Sequence, residues 1–432
     1  MLKKVFGTFG ARIVCTLITL GIVIINSRVF GSSGVGTIGL FILGITILQI
    51  LTSFIGGPSL VYMLPRNDSF QLIFLSYTFA LFINIIGSIL LVTFHLIEKQ
   101  YFWHLLITSI FFSTYYIHSQ IILSQEKIKA YNFLAILQIV LHLGLLLIFI
   151  YLLKNRDVSS YIFAYLISFI IVSIVSIPYI VEKLIFKGFQ NIWLVFKQMI
   201  TYGFVIQIAN FTQLLNYRLS YYIIEFCSGR KALGLFELGT KLSEAIWILP
   251  KSMATVQYSR ISNCNENKVY AQKLTLAFLK LSFVFTFVAV LVLLSIPNHW
   301  IACVFGAEFS DSKPVIIALA FGILIFSCNI ILSHYFAGFG KYKINTIASI
   351  IGVVITLTLG LSAIEIFKTM PYIKVIVWVG LISTVSYTAS FTYTFVCFLK
   401  DSCIKLKDLS IRKKDIFLFK EEIKRILTNN KL

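Results

Sequence analysis

Apolar residues follow one another along this chain in long uninterrupted stretches, and short polar segments separate these stretches. A helix needs about 20 largely apolar residues to cross the hydrocarbon core of a bilayer, which is about 30 Å thick. Strands of a membrane β-barrel would alternate between apolar and polar positions, and the stretches show no such alternation. The pattern predicts an all-α membrane protein with about twelve transmembrane helices. We expect them near residues 8–30, 36–63, 70–94, 101–123, 130–153, 160–184, 199–226, 231–256, 271–296, 314–337, 343–365 and 372–399.

The composition agrees with a chain that faces lipid. Of the 432 residues, 58% are hydrophobic and only 12% are Asp, Glu, Lys or Arg, whereas soluble domains carry about 25% charged residues. So few charges cannot cover a water-facing surface, which excludes a soluble globular protein. The net charge of +20 does not indicate a nucleic-acid partner, because much of it lies in the C-terminal segment.

Basic residues indicate the orientation of the chain. If the N-terminus is cytoplasmic, 23 of the 37 Lys and Arg residues lie on the cytoplasmic side and 8 lie in outer loops. Cytoplasmic loops carry the excess of Lys and Arg, so we expect both termini in the cytoplasm. The apolar run after Lys4 is interrupted by Arg12 and lacks a small-residue cleavage site, so we interpret it as a retained first helix.

Residues 401–432 form a separate basic segment. Its apolar residues at helical spacing are Ile416, Phe419, Ile423 and Ile426, and they alternate with basic residues. We interpret the segment as a basic amphipathic helix on the cytoplasmic surface, where it contacts anionic lipid headgroups. Docking of a partner protein is the alternative.

The chain contains an internal repeat. Seven of twelve positions are identical between Ser33–Gly44 and Ser228–Gly239, and Pro58 is matched by Pro250 at a similar offset. Small residues recur in any membrane protein because they allow helices to pack closely, but a shared G-L-F-x-L-G after the same Ser-Gly is more specific. The repeat predicts two pseudo-symmetric six-helix lobes, residues 1–190 and 191–400, related by an axis along the membrane normal.

Several charged residues lie within the predicted spans. They are Arg12, Arg28, Arg218, Glu225, Glu237, Lys241, Glu244, Lys251 and Lys280. A charge near the bilayer centre costs at least about 2.5–3.5 kcal/mol, so such a residue normally faces a partner or water. We expect four of them to lie near span ends and to reach the interface: Arg28, Glu225, Lys251 and Lys280.

The seventh and eighth helices carry the candidate binding residues. Glu237, Lys241 and Glu244 share one helix face at i, i+4 and i+7, either as a structural ion-pair ladder or as the lining of an aqueous cavity that engages a charged cargo. A polar stripe precedes them, formed by Gln207, Asn210, Gln213 and Tyr217. Amide and hydroxyl groups suit a hydroxyl-rich ligand, although they also serve as interhelical hydrogen bonds. The sequence shows no cofactor or metal motif, and its cysteines show no paired spacing.

Two junctions of the chain resemble a known family. The first is Arg28–Gly31 followed by Gly34–Phe41, and the second extends from Arg218 to Glu244. Both are similar to the helix 1–2 and helix 7–8 junctions of the Wzx-type flippases for O-antigen and capsule repeat units. These flippases belong to the MOP exporter superfamily, which also contains the MATE transporters.

The resemblance implies a function. Such a flippase moves an oligosaccharide on undecaprenyl pyrophosphate from the cytoplasmic to the outer leaflet of the bacterial inner membrane, and it performs no covalent chemistry. The resemblance implies a cationic cavity for the pyrophosphate, for which Arg12, Arg218 and Lys241 are the matching candidates, with Arg28 beside them. Glu237 and Glu244 would hold the Lys241 ammonium when the cavity is empty. A monomer is expected, with a polysaccharide polymerase and chain-length machinery as partners.

Two alternatives differ from this interpretation in the charge or in the chemistry that they require. A MATE-type exporter of drugs or cations would favour acidic residues in its cavity, whereas the charge within the predicted spans is net positive. A membrane enzyme of polysaccharide assembly would usually carry a large external loop or a soluble domain, and we expect neither here.

Overall fold

The computed structural model describes residues 2–64, 69–125, 127–181, 191–262 and 268–402. Within these ranges the regular structure is entirely helical, which confirms the predicted all-α class. The basic segment 401–432 lies outside the described residues beyond Ser402, so its amphipathic helix stays a prediction. The helices are α1 Leu2–Gly56, α2 Pro58–Met63, α3 Ser69–Thr93, α4 Phe102–Ser124, α5 Ile128–Leu147, α6 Val158–Ser176, α7 Pro178–Val181, α8 Ile192–Ala245, α9 Ile248–Ser262, α10 Lys268–Ser295, α11 Asn298–Phe305, α12 Lys313–Gly338, α13 Tyr342–Ser362, α14 Ile364–Thr369 and α15 Tyr372–Asp401.

Two of these helices are each long enough for two membrane spans. At about 1.5 Å per residue, 54 or 55 residues extend about 80 Å along a helix, far more than the core of a bilayer. Nine helices in the described ranges are long and apolar enough to cross a membrane, and the bent helix α8 makes ten. Because α1 and α8 each hold two spans, the structure agrees with the predicted twelve, and the chain is a multi-pass membrane protein.

A glycine interrupts each of the long helices. Gly31 in α1 has φ 65° and ψ −175°, and Gly229 in α8 has φ 75° and ψ −174°. An L side chain disfavours this backbone conformation, whereas glycine adopts it readily. The sequence repeat matches Gly34 with Gly229, so the interruption in the first copy comes three residues earlier than the alignment indicates.

The repeated motif packs in the same way in both copies. Phe41 and Phe236 are each 1% exposed. A Cβ atom added to Gly44 would lie 2.9 Å from Ile97 Cδ1, and one added to Gly239 would lie 2.9 Å from Val315 Cβ. Both copies therefore bury their phenylalanine and use their last glycine for a close contact, Gly44 with the connection between α3 and α4 and Gly239 with α12.

The chain divides into two compact units. The first unit, unit 1, is Lys3–Phe211, and the second, unit 2, begins at Thr212, so the boundary falls inside α8. The lobes predicted from the repeat, residues 1–190 and 191–400, stay a prediction. In each unit the second span of the long helix is interrupted near its repeated proline: α2 begins at Pro58 after Gly57, and α9 begins at Ile248, two residues before Pro250.

Candidate functional site

The candidate binding residues of α8 take part in two ion pairs in unit 2. Both terminal nitrogens of the Arg218 guanidinium donate to the two carboxylate oxygens of Glu244, each at 2.7 Å. These residues are 26 positions apart, and they meet because the interruption at Gly229 separates the two arms of α8. The guanidinium fork matches a carboxylate in this two-pronged geometry, so the pair is well formed.

The second ion pair lies within one arm of α8. Lys241 Nζ lies 2.6 Å from Glu237 Oε1, at the i, i+4 spacing that the sequence indicated. The Glu237 side chain is 5% exposed, and the Lys241 side chain is 38% exposed. We expected Glu244 to hold Lys241 as well, but Glu244 pairs with Arg218 instead. A planar guanidinium offers a carboxylate two parallel hydrogen bonds, which an ammonium cannot do.

An aromatic cluster lies beside these pairs. Its members are Tyr217, Trp247, Phe326 and Tyr387, whose ring centroids lie 4.9–6.1 Å apart. Trp247 is fully buried, and its indole N–H donates to the Ile323 carbonyl at 3.0 Å. The ammonium of Lys251 lies 5.5 Å from the Trp247 ring centroid, within the range of a cation–π contact. This cluster is not predictable from the sequence, because no spacing connects aromatic residues from α8, α12, α15 and the α8–α9 turn.

The polar stripe of α8 is joined by its own hydrogen bonds. Asn210 Nδ2 donates to Gln207 Oε1 at 3.1 Å in unit 1. Gln213 Nε2 donates to the Tyr217 hydroxyl at 2.8 Å in unit 2. Gln207 is buried, Asn210 is exposed and Gln213 is half-buried. These amides thus retain some exposed donors and acceptors for a ligand.

Arg12 and Arg28 lie in unit 1, and both are exposed. Arg28 precedes the interruption at Gly31 by three residues, and Arg12 lies on the same helix toward the N-terminus. The expectation that Arg12 shares one cavity with Arg218 and Lys241 stays a prediction.

Two of the charges that we expected near span ends can be compared with that expectation. Lys280 is the thirteenth residue of the 28-residue α10 and is 5% exposed, so its predicted position at the interface is wrong. The sequence of α10 is apolar enough to include one lysine at any position of a span, so the sequence does not determine how deep in the membrane Lys280 lies. Glu225 forms an ion pair of 2.7 Å with Arg230 next to Gly229, at the end of a helical arm.

The described part of the chain contains no group of three or more His, Cys, Asp or Glu residues that could hold a metal ion. The site chemistry that the structure shows is that of ion pairs, amides and aromatic rings. Such a site can bind and release an ionic group, and it offers a guanidinium and an ammonium to an anion.

Comparisons with known proteins give structural matches only. The sequence matches no protein-family model and no curated protein. The inward-facing structure of a multidrug resistance MATE transporter of the MOP superfamily matches with a TM-score of 0.70 and 14% identity, over 90% of this chain and 96% of that one. The inward closed structure of the lipid II flippase MurJ matches with a TM-score of 0.69 and 15% identity, over 100% of this chain and 94% of that one.

A third solved structure is a MOP-superfamily transporter from Pyrococcus furiosus, whose description reports a binding pocket of reverse polarity. It matches with a TM-score of 0.66 and 15% identity, over 93% of this chain and 95% of that one. All three matches cover nearly the whole length of both chains. The chain therefore has the fold of the MOP-superfamily transporters, as the resemblance of its helix junctions predicted.

Proposed function

We propose that this protein is a flippase that moves an undecaprenyl-pyrophosphate-linked oligosaccharide from the cytoplasmic to the outer leaflet by alternating access. The observation that carries the proposal is the charge within the predicted spans of unit 2. Four cations, Arg218, Lys241, Lys251 and Lys280, stand against three carboxylates, Glu225, Glu237 and Glu244, so the charge is net positive. A net positive charge at membrane depth is costly, so it is retained where an anionic cargo compensates for it.

The pyrophosphate is the part of such a cargo that most needs protein groups. Burial of a charge without partners costs many kcal/mol, so a pyrophosphate does not cross hydrocarbon unaided. Arg218 already presents both terminal nitrogens to a carboxylate, and the same fork binds two phosphate oxygens. We propose that the cargo competes with Glu244 for Arg218.

The oligosaccharide requires neutral polar groups. Tyr217 is adjacent to Arg218 and Gln213 lies five residues before it along α8, and Gln207 and Asn210 lie further toward the start of the same helix. Amide and phenol groups donate hydrogen bonds to sugar hydroxyls and accept hydrogen bonds from them. Arg12 and Arg28 are proposed as further cationic contacts.

The solved structures support the proposal through what their descriptions say of those proteins. MurJ is described as a lipid II flippase. The description of the Pyrococcus furiosus protein takes the reversed polarity of its pocket to suggest a different function. By analogy, we propose that the positive site of this chain selects an anionic lipid-linked cargo. We also propose that the protein acts as a monomer in the bacterial inner membrane, with cytoplasmic termini and a polysaccharide polymerase among its partners.

A MATE-type exporter of cationic drugs is the second candidate. One observation favours it: Glu237 is buried while its partner Lys241 is 38% exposed, so a cationic drug could displace the lysine from this carboxylate. Under this candidate the variants below would change drug resistance and leave the surface glycan intact.

The test uses a strain whose surface glycan depends on this protein. Arg12→Gln, Arg218→Gln and Lys241→Gln are introduced singly, and Lys154→Gln, an exposed residue between α5 and α6, is the matched control. We expect surface glycan to fall about tenfold or more in Arg218→Gln, at a normal protein level in the membrane. Normal export by all three variants would show that these charges are structural.

A further inference from the structure

Lys251 is not among the residues proposed to contact the cargo, although it lies close to the site. Its side chain is exposed at the start of α9, and its ammonium rests over the buried Trp247 ring. We propose that Lys251 is a positioning residue that takes over the Glu244 carboxylate when an anionic group occupies Arg218. This inference rests on the proposed function.

Glu244, Trp247 and Lys251 share one face of the chain. Their spacing is i, i+3 and i+7, which aligns side chains along a helix. The backbone continues to wind through the turn between α8 and α9, because Trp247 N–H donates to the Glu244 carbonyl at 3.0 Å and Lys251 N–H donates to the Trp247 carbonyl at 2.9 Å. The lysine therefore lies two turns from the glutamate with the indole between them.

An anion on Arg218 leaves Glu244 without its partner. The Glu244 side chain is 16% exposed, and a largely buried carboxylate that loses its ion pair is strongly destabilised. Lys241 is already held by Glu237 at 2.6 Å. Lys251 is attracted electrostatically by Glu244 and repelled by Arg218, so neutralisation of Arg218 by an anion strengthens the attraction that remains.

The transfer has a local consequence at the α8–α9 turn. Trp247 is fixed to α12 by its bond to the Ile323 carbonyl, so the ring stays in place while the ammonium moves toward Glu244. Binding of an anion to Arg218 therefore changes the position of the Lys251 ammonium at the start of α9. The emission of Trp247 is sensitive to a positive charge over its ring, which makes the movement measurable.

The experiment uses the full chain in lipid nanodiscs with inorganic pyrophosphate as the probe. The chain has five tryptophans, and the other four are exposed: Trp103, Trp193, Trp300 and Trp378. Replacement of these four by Phe leaves Trp247 as the single emitter. Equilibrium dialysis of radiolabelled pyrophosphate measures binding independently of the fluorescence.

We expect pyrophosphate to change Trp247 emission in the single-tryptophan protein and in its Lys251→Arg variant. Lys251→Gln should abolish the change and weaken binding about fivefold. In a Glu244→Gln background, Lys251→Gln should alter affinity less than twofold, because the carboxylate that needs a new partner is gone. The matched control is Lys231→Gln, which removes a similar ammonium over the Tyr372 ring at 5.6 Å and should leave both readouts unchanged.

The outcomes separate this inference from the proposed function. If pyrophosphate binds the parent but Lys251→Gln retains its affinity and its emission change, the role of Lys251 is disproved and the anion site stands. If pyrophosphate does not bind the parent, both proposals fail. Should Lys251→Gln not fold, Lys251→Met carries the same test.

Discussion

The two units bury polar residues of different kinds. In unit 1, neutral side chains join the helices: Asn84 donates to the Ser113 hydroxyl at 3.0 Å, and His118 bonds with Tyr77 and with Ser176. In unit 2, neutral contacts of this kind also occur, as between Asn216 and Ser386 at 2.6 Å, but the Arg218–Glu244 and Lys241–Glu237 ion pairs accompany them on α8. Both units share the repeated motif and its packing. They differ in the polar groups that their interiors contain in addition to that motif.

The difference between the two units indicates which polar groups stabilise the fold. Satisfied neutral networks give a packed interior its specificity, whereas a buried ion pair is weak evidence for stability, because its desolvation offsets its attraction. The neutral networks therefore explain how the helices pack, and the ion pairs of unit 2 need another explanation. Cargo binding supplies one.

The largest expected effect comes from removal of the Arg218–Glu244 pair as a whole. The double variant Arg218→Met/Glu244→Leu should fold with nearly unchanged stability, because an apolar pair of similar volume replaces the ion pair. Its transport should fall about 100-fold, since the two-pronged contact to the anion is lost. Arg218→Met alone should lower the free energy of unfolding by about 3 kcal/mol. Thermal unfolding in detergent and the surface-glycan assay measure the two quantities, and normal export by the double variant would contradict the comparison.

The neutral network of unit 1 should show the reverse behaviour. His118 is 3% exposed. Because the Ser176 hydroxyl donates its proton to the Ser173 carbonyl, this hydroxyl accepts a hydrogen bond from the His118 imidazole. His118→Ala leaves a cavity and removes a partner from two hydroxyls, so the free energy of unfolding should fall by about 3 kcal/mol. Export divided by the amount of folded protein should stay near that of the parent. A stable His118→Ala protein that cannot export would show that this neutral network serves transport and not only the fold.

The glycine that ends each repeated motif gives a smaller and graded effect. Gly239→Ala would put its Cβ 2.9 Å from Val315 Cβ and 3.1 Å from the Ser312 carbonyl, and neither atom is the end of a flexible side chain. In Gly44→Ala the new Cβ would lie 2.9 Å from the terminal Cδ1 of Ile97. This methyl group can rotate away from the contact. We expect losses in unfolding free energy of about 2 kcal/mol for Gly239→Ala and below about 1 kcal/mol for Gly44→Ala. Equal losses would show that the two contacts are alike in stiffness.

The sequence predicts the features that depend on local spacing. Continuous apolar runs indicate the spans, because span length follows from bilayer thickness. The Glu237–Lys241 pair is predicted since i, i+4 residues face each other on any helix. The repeated G-L-F-x-L-G motif predicts matching contacts because small residues permit close approach of helices.

The features that depend on the tertiary fold are not predictable in this way. Arg218 meets Glu244 across the interruption at Gly229, and their separation of 26 positions hides this pairing from any spacing rule. The hydroxyl and amide network of unit 1 leaves little signal, because Ser and Thr are common in apolar helices. The depth of Lys280 depends on how α10 packs, and its sequence context is uniformly apolar.

The smallest effect concerns a charge of unit 1 that lies at the membrane surface. Asp157 is the N-cap of α6, and its carboxylate accepts from the Ser159 backbone N–H at 3.1 Å. Loss of this hydrogen bond in Asp157→Ala should lower the free energy of unfolding by at most about 1 kcal/mol at neutral pH. Asp157→Asn keeps a hydrogen-bond acceptor at this position and is the matched control. Transport by both variants should equal that of the parent, because this charge serves the start of a helix and does not contact the cargo.

The pH dependence distinguishes a charged cap from a neutral one. Hydrogen bonding from Ser159 lowers the pKa of the Asp157 carboxyl below its ordinary value of 3.8. A carboxylate whose pKa is lower in the folded state stabilises the fold above the ordinary pKa, and this stabilisation is lost as the pH falls through the folded value. The difference in unfolding temperature between the parent and Asp157→Asn should therefore be constant near pH 7 and shrink below about pH 4. A difference that stays constant down to pH 3 would show that the cap acts through its hydrogen bond alone and that the charge of Asp157 adds nothing measurable to the stability of the fold.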